Sequence, residues 1–139
     1  MSRTEPVSES LATVLSTCST SQDWAEQDEG PYHRDAQPMR RDIVEDRDGT
    51  SLQLGIRLAG GEATPERDDT VENWQGDALG RYSGFQPPDD SVVVTAATAP
   101  GAQYLPDQTF LRGRQRTDEA GMVEFHTIYP GWYPGRTVH

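Results

Sequence analysis

A chain of 139 residues suffices for one domain of modest size. It carries 23 acidic side chains against 12 basic ones, all arginine, for a net charge of -11 at pH 7. A field of that sign repels nucleic acid and anionic lipid, which argues against a role in binding either. The 13 glycines and 10 prolines favour turns, so we expect strands and loops rather than long helices.

The first 28 residues are predicted to form a mobile N-terminal arm, because they are rich in Ser, Thr and acidic side chains. They lack the basic segment and apolar core of a secretory signal, and no apolar run in the sequence approaches the length of a membrane span. Cys18 is the only cysteine, so no disulfide forms within the chain. These features predict a cytoplasmic protein with one domain over residues 29–139.

Two strands are predicted in the middle of the chain. Residues 52–58 alternate apolar side chains with other residues, which is the period of a half-buried strand. Residues 70–75 form the second predicted strand, with Val71 and Asn73 on one face. Asn73 interrupts the apolar pattern, so we expect a buried polar group that needs a hydrogen-bond partner.

A β-hairpin is predicted in the C-terminal third. Residues 109–113 and 122–128 have strand composition, and residues 117–121 between them form a polar turn that ends in glycine. Residues 91–95 add a short β-branched run. Short strands separated by turns at roughly ten-residue spacing predict an all-β sandwich of mostly antiparallel strands with long loops.

The side chains able to carry chemistry fall in short segments along the sequence. The most informative is residues 129–139, which reads Tyr-Pro-Gly-Trp-Tyr-Pro-Gly-Arg-Thr-Val-His. The earlier segments are residues 30–32, 41–43, 74–84, 109–113, 117–118 with Gly121, and 125–128. This ordered series resembles the intradiol ring-cleavage dioxygenases, such as protocatechuate 3,4-dioxygenase and catechol 1,2-dioxygenase, over residues 29–139.

The resemblance implies an Fe(III) site. In that family two tyrosinates and two histidines hold a ferric ion, and Tyr82, Tyr133 and His139 match the two tyrosines and the first histidine. The second histidine would fall two positions after His139. Fe(III) is a hard cation that prefers anionic oxygen ligands, and its charge converts a bound phenol to phenolate.

The resemblance also implies how a substrate is handled. In the family a catechol chelates the iron and displaces the tyrosinate that corresponds to Tyr133, which acts as a base. O2 then attacks the ring, and the bond between the two hydroxyl-bearing carbons is cleaved to give a muconate-type diacid. Arg136 matches an arginine beside the ring, where a fixed cation stabilises developing negative charge. Tyr32 matches an aromatic residue at the substrate mouth, whereas His33 and His126 match no ligand position and are expected to be structural.

Because the series stops at His139, the sequence is interpreted as a C-terminally truncated member of this family with an incomplete sandwich. One hypothesis is an Fe(III)-dependent dioxygenase that cleaves catechol-type diols with O2. The alternative is a non-catalytic sandwich, a remnant or interaction module that has lost the iron site. A transthyretin-like or carbohydrate-binding sandwich fails to explain the spacing from Tyr133 to Arg136 and His139. The identity of the catechol is not predicted, and a homo-oligomer is left open.

Overall fold

The structure, a computed structural model, describes residues 25–35, 37–85, 107–133 and 138. These residues form strands and loops with no α-helix, as the all-β prediction requires. A search of the same residues for a helix that could cross a membrane finds none. The elements are β1 (Ser51–Arg57), a 3-10 turn (Gly61–Ala63), β2 (Thr70–Trp74), β3 (Arg112–Arg116) and β4 (Met122–Ile128).

The four strands form two antiparallel pairs. β1 pairs with β4, from Ser51 opposite Ile128 to Arg57 opposite Met122. β2 pairs with β3, and Trp74 lies opposite Arg112 at one end of that ladder. Strands that are distant in sequence are therefore neighbours in both sheets.

The hydrophobic core lies between the two sheets, because both contribute side chains to it. Leu54 and Ile56 of β1 and Val71 of β2 pack against the buried cluster from opposite sheets. Burying a side chain of this size contributes about 1.5–3 kcal/mol relative to leaving it in water. The buried members of the cluster are Ile43, Phe110, Leu111, Val123, Phe125 and Ile128.

The segment before β1 links the two sheets. The Arg40 backbone N–H donates to the Arg114 carbonyl in β3 at 3.1 Å, and the Ile43 N–H donates to the His126 carbonyl in β4 at 3.1 Å. The Leu111 N–H in turn donates to the Ile43 carbonyl at 2.6 Å. This stretch therefore satisfies backbone groups of both β3 and β4 and seats Ile43 in the core.

The strands predicted over residues 52–58, 70–75 and 122–128 are confirmed. Asn73 is half-buried and has the expected partner, since its Nδ2 donates to Gln75 Oε1 at 3.3 Å. The strand predicted over residues 91–95 and most of the N-terminal arm lie outside the described residues.

The predicted hairpin is wrong, and its first strand is displaced. The strand is Arg112–Arg116, preceded by Leu111 at a positive φ of 56°, and it pairs with β2 rather than with β4. The turn forms as predicted, with the Gly121 N–H donating to the Asp118 carbonyl at 3.0 Å. After this turn the chain enters the other sheet. The Leu58 N–H donates to the Gly121 carbonyl at 2.8 Å, and β4 then pairs with β1.

Candidate functional site

Three tyrosines that are far apart in the sequence meet in one buried cluster. Tyr32, Tyr82 and Tyr133 are 3%, 7% and 3% exposed. Tyr32 stacks on Tyr82 with ring centroids 4.3 Å apart and planes 13° from parallel. Tyr133 meets Tyr32 and Tyr82 edge to face, at 5.5 Å and 5.9 Å. Trp74 and Phe85 pack around the cluster, so the phenol groups sit in a mostly apolar surrounding.

A turn built on Asp77 positions Tyr82. Asp77 is 2% exposed, and its Oδ1 accepts hydrogen bonds from the backbone N–H groups of Leu79 at 2.9 Å and Arg81 at 3.0 Å. Its Oδ2 accepts from Arg81 Nε at 2.9 Å. A carboxylate that bonds backbone groups two and four residues later closes a tight turn. This turn ends at the residue before Tyr82 and thereby fixes where that side chain begins.

The same turn holds the segment that carries Tyr133. The Gly131 N–H donates to the Asp77 carbonyl at 2.7 Å. A Cβ at Gly131 would lie 2.3 Å from the Ala78 carbonyl oxygen, and one at Gly80 would lie 2.1 Å from the Trp132 carbonyl oxygen. Both positions thus require glycine, because the two backbones touch. The contact explains how Tyr82 and Tyr133 come to share one cluster.

A buried glutamine joins the two sheets beneath the cluster. Gln75, which directly follows β2, donates from Nε2 to the Ile128 carbonyl at 2.6 Å. Its Oε1 accepts from the Thr127 hydroxyl at 2.9 Å. The ends of β2 and β4 are therefore tied together next to the residues that lead to Tyr82 and Tyr133.

A cleft of about 500 Å³ opens beside the tyrosine cluster. That volume suits a small aromatic molecule. The three tyrosines form its buried part, and exposed residues of the chain before Tyr32 form its outer part. The lining residues are Gln27, Asp28, Glu29, Gly30, Pro31, Tyr32, Leu52, Leu54, Asn73, Trp74, Gln75, Tyr82, Pro130 and Tyr133.

The Tyr32 hydroxyl is a buried polar group without a hydrogen-bond partner. Burial, together with the nearby Tyr133 and Tyr82 phenols, raises the pKa of Tyr32 from 10.0 to about 12. Its phenol is therefore neutral at physiological pH. A lone hydroxyl of this kind destabilises the fold unless a ligand bonds to it.

Replacing Tyr32 with Phe is expected to raise the free energy of unfolding of the ligand-free protein by about 1 kcal/mol, because it removes that unpaired hydroxyl. The pKa of Tyr32 is higher in the folded state than in the unfolded state. As the pH rises from 10 towards 12 the phenol therefore ionises mainly in unfolded chains, and the free energy of unfolding falls. The variant should lose part of this alkaline destabilisation. Urea unfolding at pH 7 and across the alkaline range measures both effects. Tyr129→Phe, at a 57% exposed tyrosine, is the matched control and should change little.

The predicted site residues divide into three groups. Tyr32, Tyr82 and Tyr133 come together, whereas Arg136 and His139 lie outside the described residues. His126 is on β4, with its Nε2 3.0 Å from Glu124 Oε1, and does not line the cleft. His33 packs edge to face on Trp74 with centroids 4.8 Å apart, and its Nε2 lies 3.2 Å from Glu72 Oε2. Both histidines have ordinary partners, as expected for structural residues.

The phenol oxygens of the tyrosine cluster are suitable ligands for a hard cation. The residues described contain no group of three or more His, Cys, Asp or Glu side chains placed to hold a metal ion. The phenol oxygens of Tyr82 and Tyr133 are thus the candidate protein ligands in this part of the chain, and the unpaired Tyr32 hydroxyl lies in the same cluster. Anionic oxygen ligands are those that Fe(III) prefers, so the tyrosines fit that ion in kind.

The resemblance places Tyr82 after the turn at residues 77–80 and Tyr133 in the segment that contains Gly131, but the sequence did not predict the contacts that position the two tyrosines. Asp77, Gly131 and Gln75 serve this purpose through backbone contacts and a buried amide, which residue type alone does not reveal. An aspartate followed three residues later by glycine, as Asp77 is by Gly80, is a signal that indicates such a turn. Leu52 and Leu54 of β1 also line the cleft, although their alternation indicated only a core face.

Comparison with solved structures gives clear matches. An intradiol ring-cleavage dioxygenase from Tetranychus urticae is 39% identical, with a TM-score of 0.68, and the match covers 80% of this chain and 52% of that one. The dioxygenase domain of a dioxygenase carbohydrate-binding protein fusion from a cellulolytic Streptomyces is 28% identical, with a TM-score of 0.60 over 83% of this chain and 61% of that one. A 3-chlorocatechol 1,2-dioxygenase from Rhodococcus opacus is 25% identical, with a TM-score of 0.60 over 88% and 45%.

The chain spans about half the length of the mite dioxygenase that it matches. No protein-family profile matches the sequence. A search of curated protein sequences gives no match either.

Proposed function

Because this chain belongs to the intradiol ring-cleavage dioxygenase family, we propose that it binds Fe(III) and cleaves catechol-type aromatic diols with O2 to muconate-type diacids. The substrates are a small aromatic diol and O2. The observation that carries the proposal is the meeting of Tyr82 and Tyr133 in one buried cluster beside a cleft.

The geometry of the two tyrosines supports a shared ligand. Their ring centroids are 5.9 Å apart, and both side chains line the cleft. They come from separate loops that the Asp77 turn and the Gly80 and Gly131 contacts hold together. A site held by such supporting contacts is preorganised, which metal binding and catalysis both require.

In this proposal Tyr82 and Tyr133 would hold the iron together with His139, and a ferric ion bound there would supply Lewis acidity toward the hydroxyls of a catechol. Tyr133 also accepts a proton from an incoming catechol hydroxyl. Arg136 stabilises negative charge beside the ring, and Tyr32, in the buried part of the cleft, hydrogen-bonds a hydroxyl of the substrate. The roles of Arg136 and His139 rest on the sequence resemblance.

The apolar part of the cleft suits the aromatic ring. Leu52, Leu54 and Trp74 line it, and Pro130 adds a further apolar surface. Burial of a benzene ring against such side chains provides affinity, while the phenol groups determine which edge of the diol faces the tyrosines.

The test is oxygen uptake by the ferric-loaded protein with catechol, followed by mass spectrometry of the product made from isotopically labelled O2. We expect one O2 consumed per catechol and both labelled oxygen atoms in a ring-opened diacid. Resorcinol is the control, since its hydroxyls are not adjacent and cannot chelate one ion; it should give no uptake. Ferric-loaded protein that consumes no O2 with catechol would contradict the proposed reaction and favour the non-catalytic alternative.

A further inference from the structure

We propose that the cleft selects catechols by the charge of their side chain, and that Asp28 and Glu29 favour a cationic substituent over a carboxylate. The inference rests on the proposed function, because it takes the cleft to be the substrate site. It adds a substrate class and two specificity-determining residues.

The charged residues that line the cleft are of one sign. Asp28 and Glu29 are both in the lining, which contains no arginine or histidine in the part of the chain that the structure describes. The side-chain oxygen of Asp28 accepts the Gly30 N–H at 2.8 Å, which fixes the carboxylate at the entrance to residues 30–32. A carboxylate on an entering ligand therefore meets like charges there.

The exposure of the lining residues sets the orientation of a bound ring. Asp28 and Glu29 are exposed, whereas Tyr82 and Tyr133 are buried. The hydroxyl edge of a catechol must face the tyrosines for the proposed chemistry. Its opposite edge, which carries any side chain, then points towards the open side and the two carboxylates.

Neighbouring charges reinforce this negative entrance. Glu29 Oε2 lies 3.4 Å from His33 Nδ1, and Glu72 Oε2 lies 3.2 Å from His33 Nε2. Two carboxylates therefore contact one histidine, so this group carries a net negative charge whether or not His33 is protonated, and Asp28 adds to it at the entrance.

The unpaired Tyr32 hydroxyl is independent evidence that the cleft receives a polar ligand. It is buried, belongs to the lining and has no hydrogen-bond partner. Buried polar groups normally have partners, so an unpaired one beside a cleft points to a bond made by something that enters. A catechol hydroxyl can supply that bond.

The expected effect is moderate because the carboxylates are exposed. Charges of one sign along a cleft strengthen the electrostatic potential inside it, but water and salt screen charges that are exposed. We therefore expect about a tenfold preference for a cationic over an anionic catechol of equal size at low salt, falling towards about twofold at high salt.

The experiment uses three probes that differ in charge and are of similar size: dopamine, 4-ethylcatechol and 3,4-dihydroxyphenylacetate. Dissociation constants are measured by calorimetry on the ferric-loaded protein without O2, so that no turnover occurs. We expect affinity to fall in that order. The double variant Asp28→Asn, Glu29→Gln removes the two charges and should reduce the difference in affinity between dopamine and 3,4-dihydroxyphenylacetate to about twofold.

The control double variant Asp69→Asn, Glu119→Gln changes the net charge equally at exposed positions outside the lining. It should keep the wild-type order. Equal affinities for dopamine and the carboxylate would overturn the inference, and so would equal compression by both double variants. If all three probes bind with equal affinity and all support oxygen uptake, charge selection is refuted and the proposed reaction stands. If the probes bind in the expected order but none supports oxygen uptake, the proposed reaction is refuted and charge selection stands. If no probe binds, both the proposed reaction and charge selection are contradicted.

Discussion

Replacing Tyr82 with Phe should lower the affinity of the protein for Fe(III) by roughly 100-fold or more, beyond the usual loss for a group that merely supports a ligand. The change removes one anionic oxygen and leaves the ring in place. Tyr133→Phe should have an effect of the same order, because the two phenols belong to the same cluster. Competition with a chelator of known ferric affinity measures the loss.

Tyr129→Phe is the matched control for both variants. Tyr129 directly follows β4 but is 57% exposed and lies outside the cluster, so its phenol should contribute nothing to ferric binding. Equal iron affinities for the wild type, Tyr82→Phe and Tyr133→Phe would contradict the assignment of these two side chains as ligands. A loss in Tyr129→Phe equal to theirs would point to iron bound adventitiously by tyrosines in general.

The second large effect is expected at Gly80. Gly80 has a φ of +76°, and a Cβ there would lie 2.1 Å from the Trp132 carbonyl oxygen. Gly80→Ala should therefore lower the free energy of unfolding by about 2–5 kcal/mol, from backbone strain and from the overlap. It should also weaken Fe(III) binding, because the overlap separates the loops that carry Tyr82 and Tyr133. Urea denaturation and the chelator competition measure the two effects.

Substitutions at two other glycines distinguish the effect of backbone strain from the effect of steric overlap. Gly30 has a φ of +73°, but a Cβ there would meet no atom within 4 Å, so Gly30→Ala should show strain alone, about 1–2 kcal/mol. Gly61 has neither a positive φ nor a close neighbour, and Gly61→Ala should be nearly neutral. Similar losses for Gly80→Ala and Gly30→Ala would show that the Asp77 turn does not touch Trp132.

The sequence predicted the strands that carry an apolar pattern. β1 and β4 alternate or accumulate apolar residues, and their bounds follow from that pattern. β3 reads Arg-Gly-Arg-Gln-Arg and has no such signal, yet Arg112 and Gln115 are buried. They are stabilised by hydrogen bonds, such as Arg112 Nε to the Ser83 hydroxyl at 2.8 Å, which depend on tertiary structure.

The pairing of the strands was not predictable from local pattern. A polar turn that ends in Gly121 is compatible with a hairpin, but the outcome depends on the Leu58 backbone, which is distant in sequence. The meeting of the tyrosines was expected from the resemblance alone. The contact through which they meet, between the Asp77 turn and the backbone at Gly131 and Trp132, joins two segments that are distant in sequence, so local pattern does not predict it.

The most direct test of the proposed iron site is the visible absorption spectrum of the wild-type chain titrated with Fe(III), before and after addition of catechol without O2. Phenolate bound to Fe(III) absorbs visible light by charge transfer, and a chelating catechol changes that absorption. We predict a coloured protein that saturates at one ferric ion per chain and shifts its spectrum with catechol. A protein that remains colourless at saturating Fe(III) would contradict the assignment of Tyr82 and Tyr133 as ligands.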